Sequence, residues 1–535
     1  MIYNKWAGKP QSHMKKKLLA LLIGALLPLS GAMAADSEAV DVLRETTLNI
    51  LDALVKRGVL TRQDADEIVK DAESKARTAR AAAKPQPDDV RVTYVPETVK
   101  DEIRRDVRRD VLEQTKAERW ALPGALPEWT ERISFYGELM LRSQNDIFQS
   151  TNSTQYLNYQ AINQAGTTNI PNATLYTNPA DPSKVADNSE SFFVRARLGM
   201  NAKINDTVSA GLRLTTGNTN QPVVTVQTLG TGDNKYTFVL DRAFLRLQPA
   251  PWLDLIGGRI PNPFLHTELV WAPDLGLEGF AGTVRQKVGA ITPWFTAGAF
   301  PLQDLGSSTR NKWLYAAQGG LDWKLTPSLR SRIGLAYYDY SNVTGIHNPS
   351  TGNTHVNDYT APQYVQKGNT LFNIADTTTN PNAALFALAP EYRLVNLTGT
   401  LDLLAYDPYH VMFTGDYVQN IGYDQANVLA RSGLNVAPRT KGYLAKIAVG
   451  KPELAEAGDW LVQFGYRYLQ RDAVIDGFTD PDFHLGGTDA KGYTLYLAYT
   501  FGRNAYASLK WMSANAIDNP PLAIDVLQLD LNVRF

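Results

Sequence analysis

The chain has no cysteine among its 535 residues, so disulfide frameworks, thiol nucleophiles and thiolate metal sites are excluded. Its 53 basic and 54 acidic residues nearly cancel, and nothing in the charge points to nucleic acid as a partner. No stretch of 18 consecutive apolar residues is present, so the sequence predicts no transmembrane helix. The mean hydropathy of −0.26 does not separate a soluble protein from a membrane barrel, because only alternate residues of a barrel strand face lipid.

Histidine is also scarce, and its placement argues against an enzyme. The six histidines are His13, His266, His347, His355, His410 and His484. The first lies in a segment that we expect to be removed, and the others fall in predicted loops or at a turn. No acidic or seryl partner stands at a diagnostic spacing, and no close pair of histidines could hold a metal. The sequence therefore predicts neither a catalytic site nor a metal or other cofactor.

The N-terminus carries the pattern of a secretory signal peptide. Residues 14–17 form a short basic run, residues 18–29 are mostly apolar, and residues 32–34 read Ala-Met-Ala. About twelve apolar residues are too few to cross a bilayer, which argues against a membrane anchor. We expect cleavage after residue 34, so that residues 1–34 form the signal peptide. Residues 1–13 are interpreted as a spurious extension, because Met14 is the better start.

Residues 35–83 are predicted to form a helical periplasmic region, since apolar residues recur there at helical spacings. A proline-containing stretch and a dense mixture of both charges follow, so residues 84–131 are interpreted as a linker and a charged helix. That helix has a thin apolar seam formed by Val99, Ile103, Val107 and Val111. The seam fits a helix that associates with copies of itself, and a solvated, charge-laced helix explains it equally well.

From residue 132 onward the apolar residues recur with a period of two, which is the repeat of a β-strand. The last nine residues show the pattern most clearly. Their apolar members are Leu527, Leu529, Leu531, Val533 and Phe535, and the polar residues between them are Gln528, Asp530, Asn532 and Arg534. A strand of a soluble β-sandwich would alternate in the same way. One segment therefore does not distinguish a membrane barrel from a soluble protein, and the rest of the chain must show the same pattern.

Sixteen segments alternate in this way, and the lengths of their connections alternate too. The segments are 132–144, 191–203, 207–217, 236–248, 252–261, 276–287, 290–300, 312–324, 328–341, 391–404, 409–420, 439–450, 459–471, 489–501, 504–514 and 523–535. Connections after odd segments are long, as in 145–188 and 342–390, and those after even segments are short, as in 204–206 and 502–503. Long loops on one side and tight turns on the other are typical of outer-membrane barrels, whereas a soluble sandwich has no reason to sort its loops.

The residues between the apolar ones are mainly Arg, Asp, Thr, Asn, Gln and Ser, which are too polar for a packed core and would suit a water-lined interior. A closed sheet satisfies every backbone hydrogen bond in lipid, and sixteen strands enclose a ring wide enough for an aqueous channel. We therefore predict an all-β protein. Its main part, residues 132–535, is a 16-stranded antiparallel transmembrane β-barrel, preceded by a short α-helical N-terminal region.

On this architecture and on the ending Leu527-x-Leu529-x-Leu531-x-Val533-x-Phe535, the chain resembles the porins of Gram-negative bacteria. It is most similar to the family called putative porins, over residues 36–535. The resemblance implies a location in the bacterial cell outer membrane and passive diffusion of small hydrophilic solutes. It also implies that the terminal strand is recognised by the barrel assembly machinery, that lipid of the outer membrane surrounds the barrel, and that the chain forms a homotrimer.

Pore-lining residues are predicted from the phase of the second to fifth segments. The inward arginines are Arg195, Arg197, Arg213, Arg242, Arg246 and Arg259. Residues 262–275 form the third long loop, whose apolar residues would suit open water poorly, and its Glu268 and Asp274 could face these arginines. We expect the loop and the arginines to form the constriction and to set an ion preference, with anions favoured. The alternative is a set of arginines merely solvated in a wide lumen.

Two other functions compete with a channel. The barrel could be an anchor, with residues 36–119 acting as a tether to the cell wall or as an adhesin; that function predicts a plugged barrel. The barrel could also be an outer-membrane hydrolase, for which the histidines give no support. Neither the preferred solute nor contact of the N-terminal helices with peptidoglycan follows from the sequence.

Overall fold

The computed structural model describes Lys70 and residues 132–306, 309–518 and 520–535. The chain divides into two units, Met1–Leu122 and Pro123–Phe535, and of the first only Lys70, which is helical, is described. The predicted signal peptide, helical region and linker therefore lie outside the described residues. Among the residues described, no helix is long and apolar enough to cross a membrane.

Sixteen long strands of one antiparallel sheet dominate the second unit. They are β1 (Ile133–Phe148), β2 (Ser189–Lys203), β3 (Val208–Thr216), β4 (Phe238–Ala250), β5 (Leu253–Pro261), β6 (Gly276–Arg285), β7 (Ile291–Gln303), β8 (Lys312–Thr326), β9 (Leu329–Ser341), β10 (Arg393–Tyr406), β11 (Tyr409–Asn420), β12 (Lys441–Gly450), β13 (Trp460–Leu469), β14 (Ala490–Gly502), β15 (Ala505–Ala516) and β16 (Ala523–Arg534). Each pairs with the next along the chain, with Gln227–Thr228 as a short addition beside β2.

The sheet closes on itself, because β1 pairs with β2 on one side and with β16 on the other. Met140 of β1 lies opposite Arg195 in one pairing, and its neighbour Leu139 lies opposite Val533 in the other. The prediction of a 16-stranded antiparallel barrel is confirmed, and every predicted segment corresponds to a strand. The largest difference in a boundary is at the end of β1, which runs to Phe148 and not to 144.

The alternation of β16 separates two faces. Leu529, Leu531 and Val533 are 51%, 49% and 42% exposed on the outer face, whereas Gln528 and Asn532 on the inner face are 0% and 3% exposed. Apolar groups therefore face outward, as a lipid-embedded barrel requires and as the sequence predicted.

Long loops gather at one end of the barrel and short turns at the other. We name the long loops L1 to L8: 149–188, 217–237, 262–275, 304–311, 342–392, 421–440, 470–489 and 517–522. L1 contains helix α1 (Tyr159–Ala165) and L6 contains helix α2 (Gln425–Ser432). Three 3-10 turns, Asp358–Thr360, Asp476–Phe478 and Phe483–Leu485, lie in L5 and L7. Two small sheets pair Thr177–Asn178 with Asp181–Val185 and Leu371–Asn373 with Phe386–Leu388.

The expectation that the interior is polar throughout is wrong for the long-loop end of β7 to β10. Phe300, Leu314, Tyr338 and Leu394 are buried there in one apolar cluster with residues of the loops. Because L3, L5 and L7 fold into the barrel, this part of the wall packs against protein and not against water. A period of two reports which face a residue is on, but not what covers that face.

The closing seam offers a test of the barrel. Gly137 of β1 exchanges backbone hydrogen bonds with Phe535, at 2.7 and 3.1 Å, and the aromatic ring of Phe535 lies where a β-carbon at 137 would be. We expect Gly137→Ile to displace this ring and to destabilise the folded barrel by about 1–3 kcal/mol, the usual cost of overpacking. The measurement is the temperature at which the folded species is lost in heat-modifiable gel migration.

Gly415→Ile is the matched control, because Gly415 is also on the outer face and has no atom within 4 Å of its missing β-carbon. Equal melting temperatures for the two variants would contradict the proposed role of the ring at the seam.

Candidate functional site

Loop L3 leaves β5 and crosses the interior of the barrel. The backbone of Leu265 exchanges two hydrogen bonds with the side chain of Gln318 on β8, at 2.7 and 2.8 Å. Two residues later, the hydroxyl of Thr267 donates a 2.5 Å hydrogen bond to Asp416 on β11. Polar side chains of two separated strands, β8 and β11, therefore guide the loop across the lumen.

The two acidic residues predicted in L3 bind opposite parts of the wall. Glu268 contacts Lys446 on β12 at 3.2 Å, and β12 lies seven strands beyond β5 in the ring of sixteen. Asp274 binds Arg197 at 2.6 Å and Arg195 at 3.2 Å, both on β2. L3 thus reaches the far wall and returns, and it narrows the lumen from the inside.

Apolar residues hold L3 in this position. Its buried side chains are Phe264, Leu269, Val270, Trp271 and Leu275. The indole of Trp271 packs edge-on against Tyr338 of β9, with ring centroids 5.3 Å apart, and lies 6.0 Å from Phe478 of L7. The argument from sequence that so apolar a loop would turn inward agrees with this packing.

Four of the six predicted arginines are paired with carboxylates on the inner face. Arg195 and Arg197 contact Glu138 of β1 as well as Asp274. Arg213 pairs with Asp241, and Arg246 pairs with Asp254 at 2.7 Å. The structure therefore brings the arginines of β2 together with L3, as predicted, but it neutralises most of their charge.

The other two arginines differ from this group. Among the described residues, Arg242 makes no hydrogen bond or ion pair, and it lies opposite Arg213 in the strand register. Arg259 pairs with Glu278 on β6, and its Nε donates a 2.9 Å hydrogen bond to the backbone carbonyl of Asp241. It borders a cavity that Asp241 and Phe478 of L7 also line, and its role in the pore stays a prediction.

The chain matches the family described as putative porin over residues 44–535. The protein belongs to this porin family. Its location is therefore the bacterial outer membrane, and L1 to L8 are the extracellular loops of a porin barrel. No curated protein matches the chain.

The chain is also similar to several solved structures of outer-membrane proteins. OprB of Pseudomonas putida has a TM-score of 0.42 and 10% identity, with 76% of this chain and 95% of that chain covered. OmpF of Salmonella typhi has a TM-score of 0.38 and 10% identity, covering 75% and 97%. The outer-membrane channel DcaP of Acinetobacter baumannii has a TM-score of 0.36 and 11% identity, covering 75% and 97%.

The porin has a second acidic loop in its lumen that the sequence analysis missed. Asp482 of L7 contacts Arg142 of β1 at 3.3 Å and Lys510 of β15 at 3.4 Å. Asp480 binds Arg467 of β13 at 2.8 Å. The basic partners could have been found from sequence, since they occupy polar positions of predicted strands. The apolar residues Val474, Ile475 and Phe478 could have indicated that L7 folds inward to meet them.

Basic groups of the wall lower the pKa of the two L3 carboxylates. Burial would raise the pKa of Glu268, but Lys446 and Arg467 lower it to about 2. Burial likewise opposes ionisation of Asp274, and Arg197 and Arg195 lower its pKa below the usual value. Contact with the positive groups of the wall therefore stabilises the charged form of both carboxylates.

L7 is tied to L5 by a buried lysine. The ammonium group of Lys367 donates hydrogen bonds to the carbonyl oxygens of His484, Leu485 and Gly486. Burial lowers the pKa of Lys367 to about 7 and raises that of the nearby Asp476, whose carboxyl oxygens have no hydrogen-bond partner, to about 7. The side chains of Gln366 and Asn369 also bind L7, so Lys367 is one of several polar connections between the two loops.

No metal centre is part of the site as far as the structure describes the chain: residues 132–306, 309–518 and 520–535 contain no group of three or more His, Asp or Glu that could hold an ion.

Proposed function

We propose that this porin is a water-filled channel for the passive diffusion of small hydrophilic solutes and ions across the outer membrane. The observation that carries the proposal is L3, which crosses the lumen and leaves charged groups partly exposed on one side of it. Glu268 and Asp274 of L3 and Asp482 and Lys510 beside L7 keep about a quarter of their side-chain surface. Solvated charges of both signs around one opening are suited to a hydrophilic pathway.

Basic and acidic groups meet in ion pairs where the loops touch the wall. Glu268 pairs with Lys446, Asp274 pairs with Arg195, and Asp482 pairs with Arg142. These contacts hold L3 and L7 in the lumen and line the proposed pathway with polar groups.

We further propose a modest anion preference. Its support is not the number of inward arginines, since five of the predicted six are paired with carboxylates. The support is the guanidinium of Arg242, which has no ion pair among the described residues and lies beside Arg213. An unpaired positive charge on the inner wall attracts anions, whereas a closed ion pair has little long-range field.

Arg195→Ala together with Arg242→Ala tests this preference. We expect the ratio of anion to cation permeability to fall roughly twofold or more, since the wall loses two positive charges near the constriction. The measurement is the reversal potential of single channels in a salt gradient. Arg503→Ala, at an 83% exposed position on a short turn, is the control and should change nothing. Unchanged selectivity in the double variant would refute the proposal.

An anchoring barrel is the second candidate, and the apolar cluster of L3, L5 and L7 in the lumen favours it. A stepwise current from the purified protein in planar bilayers would exclude a fully plugged barrel. We do not propose a hydrolase: among the described histidines, His355 and His410 contact carboxylates, and neither is hydrogen-bonded to a serine or threonine.

The partners of the channel remain proposals. We propose that the protein associates as a homotrimer in outer-membrane lipid and that the terminal strand, with Leu527, Leu529, Leu531, Val533 and Phe535, is read by the barrel assembly machinery. Support for the second comes from the outer face of β16, where Leu529, Leu531, Val533 and Phe535 form an exposed row.

A further inference from the structure

A second polar chamber lies inside the barrel, on the short-turn side of L3. Its volume is about 420 Å³, and it is bounded by the first residues of L3 and the inner faces of β4 to β9. Arg246, Arg285 and Arg332 line it from three different strands. Two of them, Arg285 and Arg332, were not among the arginines predicted from the sequence to line the pore.

These guanidinium groups are only partly neutralised. Arg285 and Arg332 share one carboxylate, that of Asp322, at 3.5 and 2.9 Å, and Arg246 pairs with Asp254 at 2.7 Å. Three positive charges thus meet two negative ones.

The arginine side chains remain 43%, 47% and 44% exposed. Each guanidinium has five N–H donors, so donors stay available to a bound anion.

The chamber also has an apolar side. Ile256, Pro263 and Leu265 add apolar surface. Asn262 is fixed beside them, because its side-chain oxygen accepts a hydrogen bond from the backbone N–H of Phe264, at 3.1 Å.

Asp322 holds the guanidinium group of Arg332 in place. It accepts a hydrogen bond from the indole nitrogen of Trp294 at 3.2 Å, and the guanidinium of Arg332 lies 5.7 Å from the centre of that ring. Because Trp294 is itself buried, Arg332 is fixed by a rigid neighbour as well as by the carboxylate. A preorganised guanidinium binds a planar carboxylate with less loss of conformational entropy.

We propose that this chamber is a binding site for small organic carboxylates, in which the arginines hold the carboxylate and the apolar side contacts the rest of the molecule. This proposal extends the proposed channel function. It rests on that function only for the claim that the bound anion is crossing the membrane. Binding itself does not depend on conduction, so the two can fail separately.

Sodium benzoate is the probe, with benzyl alcohol as its neutral analogue and inorganic phosphate as an anion without an apolar part. Isothermal titration calorimetry of the detergent-solubilised full chain measures binding, and current through planar bilayers measures block. We expect benzoate to bind and to reduce the current, and we expect benzyl alcohol to do neither. Phosphate that binds as tightly as benzoate would overturn the assignment to organic carboxylates.

The decisive variant carries Arg285→Gln, Asp322→Asn and Arg332→Gln, which removes the charges while keeping side chains of similar shape. Benzoate affinity should fall at least about tenfold, or 1.4 kcal/mol. The control, Arg503→Gln on a distant turn, should bind like the wild type. Unchanged affinity in the triple variant would refute the site. Binding without any channel current would refute the proposed function and leave the binding site supported. Channel current without benzoate binding would refute the site and leave the proposed function supported.

Discussion

Trp271→Ala is expected to lower the free energy of unfolding by about 3–5 kcal/mol and to make the open channel larger and noisier. Trp271 is fully buried at the centre of L3, against Tyr338 and Phe478. Its indole nitrogen has no hydrogen-bond partner, so alanine removes packing and no hydrogen bond. With its largest anchor gone, L3 would fluctuate away from the wall. Heat-modifiable gel migration measures the stability, and single-channel recording measures conductance and noise.

Two variants separate this effect from the loss of any tryptophan. Trp271→Phe keeps an aromatic ring and should restore most of the stability and the quiet current. Trp511→Ala removes an indole from the outer face, where 38% of the residue is exposed, and should leave the conductance unchanged. If Trp271→Ala conducts like the wild type and melts at the same temperature, L3 is not held by this residue, and the proposed constriction loses its support.

The barrel wall could be predicted from sequence because its signal is local. Leu529, Leu531 and Val533 are two residues apart, and a strand places such residues on one face whatever the rest of the chain does. The alternation is weakest in the middle of β5 and β6. Gly258, with a positive φ of 117°, lies there opposite Gly279, with a φ of 136°, and a glycine has no side chain to show which face it is on.

The contents of the lumen could not be predicted in the same way. Asp482 of L7 meets Arg142 of β1, 340 positions away in the chain, and no periodicity links two such residues. L3 was the exception, because a solvent-facing loop with Phe264, Leu269 and Trp271 would have exposed a large apolar surface. L7 carries a similar signal in Val474, Ile475 and Phe478, but its many acidic residues mask it, because they suit an extracellular loop.

Lys367→Met is expected to release L7 from L5. Methionine has a similar length but no donors, so the carbonyls of His484, Leu485 and Gly486 lose their partner at a cost of about 1–3 kcal/mol for each carbonyl left buried and unpaired. Removing a buried ammonium offsets part of this cost, because burial already lowers the pKa of Lys367 to about 7. The carbonyls outnumber the lysine three to one, so we expect net destabilisation.

Opening of L7 should be measurable by limited proteolysis. Trypsin can cut after Arg471, which lies near the start of that loop. In the wild type, the backbone carbonyl of Arg471 accepts hydrogen bonds from Asn369 and Thr488, which protects the adjoining peptide bond. In Lys367→Met we expect trypsin to cut after Arg471 at least about tenfold faster, since cleavage follows the population of the opened loop. Mass spectrometry of the fragments measures the rate.

Lys184→Met, at a 71% exposed lysine of L1, is the matched control and should be cut like the wild type. Equal protection of L7 in all three proteins would mean that the lysine does not hold the loop, and that the hydrogen bonds of Asn369 and the apolar contacts of Phe478 and Ile475 suffice.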